Sequence, residues 1–337
     1  MNLAERITAF DLLGNKIDHL SVEESDQLID QACNLNPWFV PESILLSLAG
    51  ISYFLKEKNL NTWLRSYPLS TEKNRKVGIA MAGNIPLVGF HDYLCVLISG
   101  NDLVIKLSSQ DSYLLLALNS WLVEIEPRFE NKIHFEERLN HVEAIIATGS
   151  NNTSRYFEYY FRNIPHIIRK NRSSIAILMG EEDTTHFTEL GKDVFSYFGL
   201  GCRNVSKIFV PEGYEFIKLL DAWNPYKEII NHHKYANNYD YQKSILLVNK
   251  VPHLDNGFVL LTQHEALVSP ISVLYFETYT TQSDLKNKIK IQKDKIQCIV
   301  SAHGWFDGSI PFGKAQLPEL WDYADGIDTL KFLTEIN

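Results

Sequence analysis

The chain has 337 residues, 45% of them hydrophobic and 22% charged, enough apolar mass for one large domain or two ordinary ones and too much for a disordered chain. Its formal net charge of -9 sets the average field against polyanions, which argues against nucleic acid or an anionic membrane surface as a general partner. The opening MNLAERITAFDLLGNKI has no cationic start, continuous apolar run or small-residue cleavage site, so export is not expected, and no apolar stretch nears the roughly 20 residues that span a bilayer.

Residues 1 to about 65 read as helices. Ser21 and Glu24 in SVEESDQLIDQA have the spacing of a capping box. From Lys76 the pattern changes to short apolar runs alternating with helical segments: a strand at 77–81 (VGIAM), a helix at 86–98, a strand at 103–107 (LVIKL), a helix at about 112–126 and a strand at 144–148 (AIIAT). Apolar strands alternating with helices predict βαβ units and a parallel sheet covered on both faces. A further run at 174–179 (SIAILM) precedes an amphipathic helix at about 184–198. Then come the strand-like runs KIFVP, KSILLVN, FVLLTQ, ISVLYFE and QCIVSA. These predict a second α/β domain.

The expected domains are 1–175 (helical segment plus a Rossmann-like domain), 176–310 (an α/β domain carrying Cys202) and 311–337 (a tail returning to the first). Four cysteines, Cys33, Cys95, Cys202 and Cys298, stand far apart without a CxxC pair, which suggests neither a zinc site nor a disulfide framework and fits a reducing cytoplasm. His232, His233 and His303 have no metal-ligand spacing, so no metal is expected.

Several segments, in order, resemble the aldehyde dehydrogenase superfamily: VGIAMAGNIPL, GNDLVIKLSSQ, IIATGS, GLGCRNVSKIFV, SPISVLYFE and IPFGKAQ. The similarity runs from about residue 76 to 315. Within the superfamily the chain is most similar to the acyl-CoA reductase branch, typified by the fatty acyl-CoA reductase of bacterial luminescence, and the tail LWDYADGIDTLKFL resembles that branch in particular. The resemblance implies an aldehyde dehydrogenase-like α/β fold, with a Rossmann-like dinucleotide-binding domain packed against a catalytic α/β domain.

It also implies roles. Cys202 becomes the nucleophile, because a thiolate splits a difficult acyl transfer into two easier steps. Gly199 and Gly201 let backbone approach a substrate, and Arg203 favours the thiolate if it points toward it. Asn84 would donate its side-chain amide to the developing oxyanion, with the Cys202 backbone amide as second donor. Asn84 ahead of Pro86 also suits an ordinary turn.

Lys106 closes the second strand and Ser108 and Ser109 come after it, where relatives bind the adenosine ribose. Many NAD-preferring relatives hold a glutamate at the position of Ser109, so a neutral hydroxyl there implies tolerance of NADPH, with Lys106 as partner of its 2′-phosphate. Thr148, Gly149 and Ser150 end a strand and open a helix, where backbone amides face a pyrophosphate; Ser150 is equally a natural N-cap. Glu265 lies within one position of the family glutamate that holds the nicotinamide ribose.

One departure is informative. Hydrolytic relatives place a water-activating glutamate where this chain has IIRKNRSSIAIL, with Ile168 near the expected position. Without that base, release to a thiol such as coenzyme A is favoured over hydrolysis. Arg162, just ahead of this stretch, and Arg169, Lys170 and Arg172 within it fall within eleven residues, either a phosphate-binding cluster or a solvated face.

The expected activity is NADPH-dependent reduction of an acyl-CoA, fatty acyl in the resembling branch, to an aldehyde through a thioacyl-enzyme on Cys202, with coenzyme A as leaving group. A homodimer and an acyl-transferring partner protein are what the family implies. Two other readings stay open: a cysteine acyltransferase or thioesterase on the same fold, and a non-catalytic scaffold subunit.

Overall fold

The computed structural model describes residues 1–69 and 74–336. The chain divides into two units, one comprising Met1–Asn171 and Glu319–Asn337, the other Arg172–Pro318. No helix among the described residues is long and apolar enough to cross a membrane.

The first unit opens with four helices, α1 (Leu3–Asp18), α2 (Val22–Leu35), α3 (Pro41–Leu55) and α4 (Glu57–Leu64). The capping box expected at Ser21 is formed: Ser21 Oγ accepts from the Glu24 amide at 3.2 Å, and the Ser21 amide donates back to the Glu24 carboxylate at 2.9 Å. Asn2 and Glu5 do the same for α1. A five-stranded sheet follows, made of β1 (Lys76–Ala80), β2 (Asp102–Lys106), β3 (Ile133–Phe135), β4 (Ala144–Thr148) and β5 (His166–Arg169).

Every pairing in this sheet is parallel and the spatial order is β3-β2-β1-β4-β5. Four residues of β1 and three of β2 are buried in succession, as a sheet covered on both faces requires. The covering helices include α5 (Phe90–Ile98), α6 (Tyr113–Ile125) and α7 (Asn151–Tyr160). The strand order reverses between β1 and β4. In an open parallel sheet that reversal is where a crevice forms at the carboxyl ends of the strands.

The second unit carries a seven-stranded sheet. Its strands are β6 (Ser173–Ile177), β7 (Val205–Pro211), β8 (His253–Asp255), β9 (Leu260–Gln263), β10 (Val273–Tyr279), β11 (Ile296–Ser301) and β12 (Ile310–Pro311), in the order β12-β11-β6-β7-β10-β9-β8. Only β8 with β9 is antiparallel among these pairs. Helices α8 (Thr184–Phe195), α9 (Ile217–Ala222), α10 (His233–Val248) and α11 (Gln282–Gln292) belong to it.

The run KSILLVN is not a strand. It forms the last turns of α10, because no glycine or proline interrupts the chain from His233 and helix propagates through it, leaving Leu247 and Val248 exposed. Two expected helices are also shorter than their patterns. The one at 86–98 starts at Phe90, and the one at 184–198 ends at Phe195. In both places non-glycine residues enter the left-handed region, Leu87 at φ +57° and Tyr197 and Phe198 at +53° and +59°.

Candidate active site

In the first unit, the loops after β1, β2 and β4 share one edge of the sheet at its topological switch. Asn84 lies half-buried in the loop after β1. That loop has its shape fixed from two sides. Asp111 Oδ2 accepts from the Leu87 amide at 2.6 Å, which holds Leu87 in its left-handed conformation. At Gly83, an added Cβ would sit 2.6 Å from Ser108 Oγ and 2.9 Å from the Asp111 amide nitrogen. Burial pushes the Asp111 carboxyl up to about 6, against the lowering effect of its bonds to the Leu87 and Leu114 amides.

Lys106, the last residue of β2, is exposed, as is Ser109, while Ser108 is half-buried and accepts from the Gln110 amide at 3.2 Å. After β4, Ser150 caps α7, its Oγ accepting from the Thr153 amide at 3.2 Å. Thr148 and Gly149 lead into that cap, and a Cβ on Gly149 would lie 3.0 Å from Thr153 Cβ. A bare glycine packed against the first turn of a ten-residue helix at the switch point is a donor set that fits the pyrophosphate of a dinucleotide.

The basic cluster is not a single surface. Arg169 is buried, paired with Asp92 and donating to Thr329 Oγ1 at 2.9 Å, so it is committed to the interior. Lys170 pairs with Glu158 at 2.9 Å, and Arg162 lies over the Tyr159 ring. Arg172 belongs to the other unit and lies 3.5 Å from the Ile296 carbonyl oxygen. Ile168, on β5, carries a half-buried aliphatic side chain.

In the second unit, Cys202 sits half-buried just before β7. The approach to it is a tight run of left-handed residues: Tyr197, Phe198, Gly199 at φ +79° and Gly201 at +95°. Glycine adopts this conformation without penalty, whereas each of the two aromatic residues costs on the order of 1 kcal/mol or more. Strain of this kind persists only where neighbours over-determine the backbone. Here the Phe198 ring packs on His232 with centroids 4.2 Å apart, and the Leu200 amide donates to the Tyr197 carbonyl at 2.9 Å.

The peptide of Cys202 is fixed from beneath by a residue with no sequence signature. Ser174 on β6, fully buried, donates its hydroxyl to the Cys202 carbonyl at 3.1 Å and accepts from the Cys298 amide at 3.2 Å, with Cys298 Sγ 3.0 Å away. Burial pushes the Cys298 thiol up, with Arg203 acting in the opposite sense. Arg203 also donates to the Ala315 carbonyl at 3.3 Å, tying the residue after the thiol to the loop after β12. Asp193 of α8 holds that same loop, accepting from the Gly313 amide at 2.7 Å and the Ala315 amide at 2.9 Å.

Glu265 is exposed in the bend after β9, and its carbonyl accepts from the buried Lys207 Nζ at 2.8 Å. The bend folds back along β7, since the Leu267 carbonyl accepts from Ser206 Oγ at 2.7 Å. His303 meets His186, Nε2 to Nε2 at 2.8 Å. Among the described residues no group of three or more His, Cys, Asp or Glu is arranged to hold a metal ion.

No family model matches the sequence, and no curated protein matches it. Solved structures do match. Aldehyde dehydrogenase 21 from Physcomitrella patens, in complex with succinate, superposes with a TM-score of 0.68 at 12% identity, over 89% of this chain and 73% of that one. An NAD+ complex of aldehyde dehydrogenase from Bacillus cereus gives 0.64 at 14% identity, over 89% and 72%. Glyceraldehyde-3-phosphate dehydrogenase from Methanocaldococcus jannaschii complexed with NADP gives 0.64 at 12% identity, over 89% and 76%. The chain thus has the aldehyde dehydrogenase-like α/β fold, a parallel Rossmann-like sheet in one unit and a second sheet in the other.

Proposed function

We propose that this protein is an oxidoreductase of the aldehyde dehydrogenase type that reduces an acyl-CoA thioester to the aldehyde, with Cys202 as nucleophile and NADPH as reductant. The observation that carries the reading is the Cys202 loop: two strained aromatic residues and two left-handed glycines deliver a half-buried thiol whose own carbonyl is pinned by Ser174. An inert cysteine needs no such investment.

The Cys202 thiolate attacks the thioester carbonyl, and the charge that develops on oxygen is met by the Cys202 backbone amide and the Asn84 side chain. Collapse breaks the bond to sulfur of coenzyme A, which leaves as the thiolate and takes a proton, and the acyl group stays on Cys202. A reduced nicotinamide dinucleotide, when bound, supplies the hydride that takes the thioester on Cys202 to the aldehyde level. The residues to hold that cofactor are Thr148, Gly149 and Ser150 at the start of α7 for the pyrophosphate, and Lys106, Ser108 and Ser109 at the end of β2 for the adenosine ribose. The assignment of Glu265 to the nicotinamide ribose is the remaining part of the proposal.

An aliphatic Ile168 offers no general base for hydrolysis, which supports release by reduction over release as free acid. The neutral Ser109 supports NADPH over NADH.

The decisive experiment is intact-protein mass spectrometry after incubation with a panel of acyl-CoAs and no reductant. The expected result is a single acyl adduct that is absent in Cys202→Ala, with circular dichroism unchanged, and that NADPH discharges as aldehyde. An adduct that forms on Cys202 but discharges only as free acid identifies a thioesterase. Reduction by Cys202→Ala at the wild-type rate rules the nucleophile assignment out. An NADH preference in kcat/KM refutes the reading of Ser109.

A further inference from the structure

Remote from any residue named for the chemistry, the first turn of α1 buries a charge. Arg6 is only 2% exposed. Its Nε donates to the Ile98 carbonyl at 3.0 Å and its Nη1 to the Met1 carbonyl at 2.7 Å, while the buried Nη2 has no partner among the described residues. Both of its bonds end on neutral carbonyls. The nearest acid in sequence, Glu5, is engaged elsewhere, with the Asn2 amide at 2.7 Å and Arg128 at 3.1 Å. Taking a guanidinium out of water without an anion is among the costliest arrangements a protein can hold.

Arg6 lines a cavity of about 90 Å³ shared with Lys132, Asn74, Asn101 and Gly100. One water needs roughly 10–15 Å³ measured in this way, so there is room for several waters or one tetrahedral ion. Lys132 brings a second cation. Its Nζ pairs with Asp102 at 2.6 Å, and in the amide orientation that satisfies its surroundings Asn74 accepts from the same Nζ at 2.6 Å and donates to the Gly100 carbonyl at 2.9 Å. Gly100 is part of the cradle: at φ +92°, it lets the backbone pass where a Cβ would come 3.2 Å from Arg6 Nη1. Asp102 answers the charge of Lys132, whereas the Arg6 guanidinium, on a residue that cannot turn to solvent, has no carboxylate partner among the described residues. Burial also lowers the Arg6 pKa, a direction that an anion in the cavity reverses.

We infer that the cavity between the first turn of α1, the α5–β2 turn and Lys132 is a binding site for one tetrahedral oxyanion of the phosphate class, with the Arg6 Nη2 group and Lys132 Nζ as its charged donors. Such an ion would act as a staple. It would join α1 to the turn that feeds β2, the strand that ends in Lys106, and it would stabilise the folded state by mass action. The ion can be free phosphate or the phosphoryl group of a nucleotide, which share this chemistry.

The test uses the full chain. Melting temperature is followed against inorganic phosphate, and separately against adenosine 2′-monophosphate, with sodium chloride holding ionic strength constant, in the wild type, Arg6→Gln and Lys132→Gln. The expected result is a saturable rise in the wild type that disappears in Arg6→Gln. In Lys132→Gln the midpoint moves roughly tenfold or more to higher concentration, the loss of one charge-assisted bond. Should Arg6→Gln fail to fold, Lys132→Gln carries the test alone, because Lys132 stands partly exposed. A Lys132-dependent rise with inorganic phosphate identifies the free ion, and one with the nucleotide alone identifies a nucleotide phosphoryl group. A rise that is equal in wild type and Lys132→Gln, or that never saturates, overturns the site, since general salt exclusion acts on all variants alike.

Discussion

Asp193 is fully buried, and both carboxyl oxygens accept backbone amides of the loop after β12, Gly313 at 2.7 Å and Ala315 at 2.9 Å. Burial pushes its pKa up to about 7, with the charge of Glu189 adding to the rise and the two amides opposing it. The folded state therefore keeps a proton that the unfolded chain, titrating near the ordinary 3.8, has already lost. Stability from such a group is complete below the unfolded pKa and is lost as pH rises through the folded one. Urea denaturation of the wild type is expected to show a loss on the order of 3 kcal/mol between pH 5 and pH 8 from this residue. Asp193→Asn should flatten that slope, and the part that remains belongs to Asp111, whose carboxyl moves in the same direction. The consequence reaches the thiol, because Ala315 also accepts from Arg203, the residue that follows Cys202. A slope identical in wild type and Asp193→Asn would mean that this carboxyl is not the titrating group.

At the level of elements, the loops after β1 and β2 act as one clamp. Gly83 leaves no room for a Cβ against Ser108 and the Asp111 amide, so Gly83→Ala must push these two loops apart. The expected cost is about 1–3 kcal/mol in stability, the usual penalty for overpacking, together with a raised KM for the dinucleotide and slower acylation of Cys202 by acyl-CoA, because Asn84 follows Gly83 in the displaced loop. Equal stability with unchanged KM would show that the clamp is not needed. The strands that bear this edge were legible within about one residue, since β1, β2 and β4 are short apolar runs that alternate with helical segments, and the alternation decides for strands buried on both faces. What escaped was of two kinds. Short or charged strands such as β3 and β5 hold too few residues to show a period, and β5 hides in a run that reads as a basic cluster. Ser174, Asp193 and Cys298 had no signal at all: Ser174 lies 124 residues from Cys298 and Asp193 lies 120 from Gly313, and only the paired sheets bring such residues together. The α10 segment failed for the opposite reason, because a four-residue aliphatic run suits a strand or a helix end equally until its neighbours decide.

For the molecule as a whole, the chain leaves the first unit at Asn171 and re-enters it at Glu319, and the returning segment completes buried groups that the first 171 residues leave unfinished. The Trp63 indole donates to Tyr323 Oη at 2.8 Å, Tyr67 Oη meets the same oxygen at 2.8 Å and donates to Asp328 at 2.9 Å, and the buried Arg169 reaches Thr329 as well as Asp92. Leu320, Leu330 and Leu333 enter the core beside these groups. A chain that ends at Pro318 would lose the three leucines, worth about 1.5–3 kcal/mol each for full burial, and would leave Trp63 Nε1 without the oxygen it donates to, at a further cost of about 1–3 kcal/mol. That sum is comparable to the entire stability of an ordinary domain. The truncated chain is therefore expected to lose the cooperative unfolding transition of the first unit. Hydrogen exchange should show the amides of β1, β2 and β4 unprotected, while those of β6, β7 and β10 keep their protection, because the second sheet draws every strand from residues 173–311. Retention of wild-type protection in β1, β2 and β4 would mean that the first unit folds without its final segment.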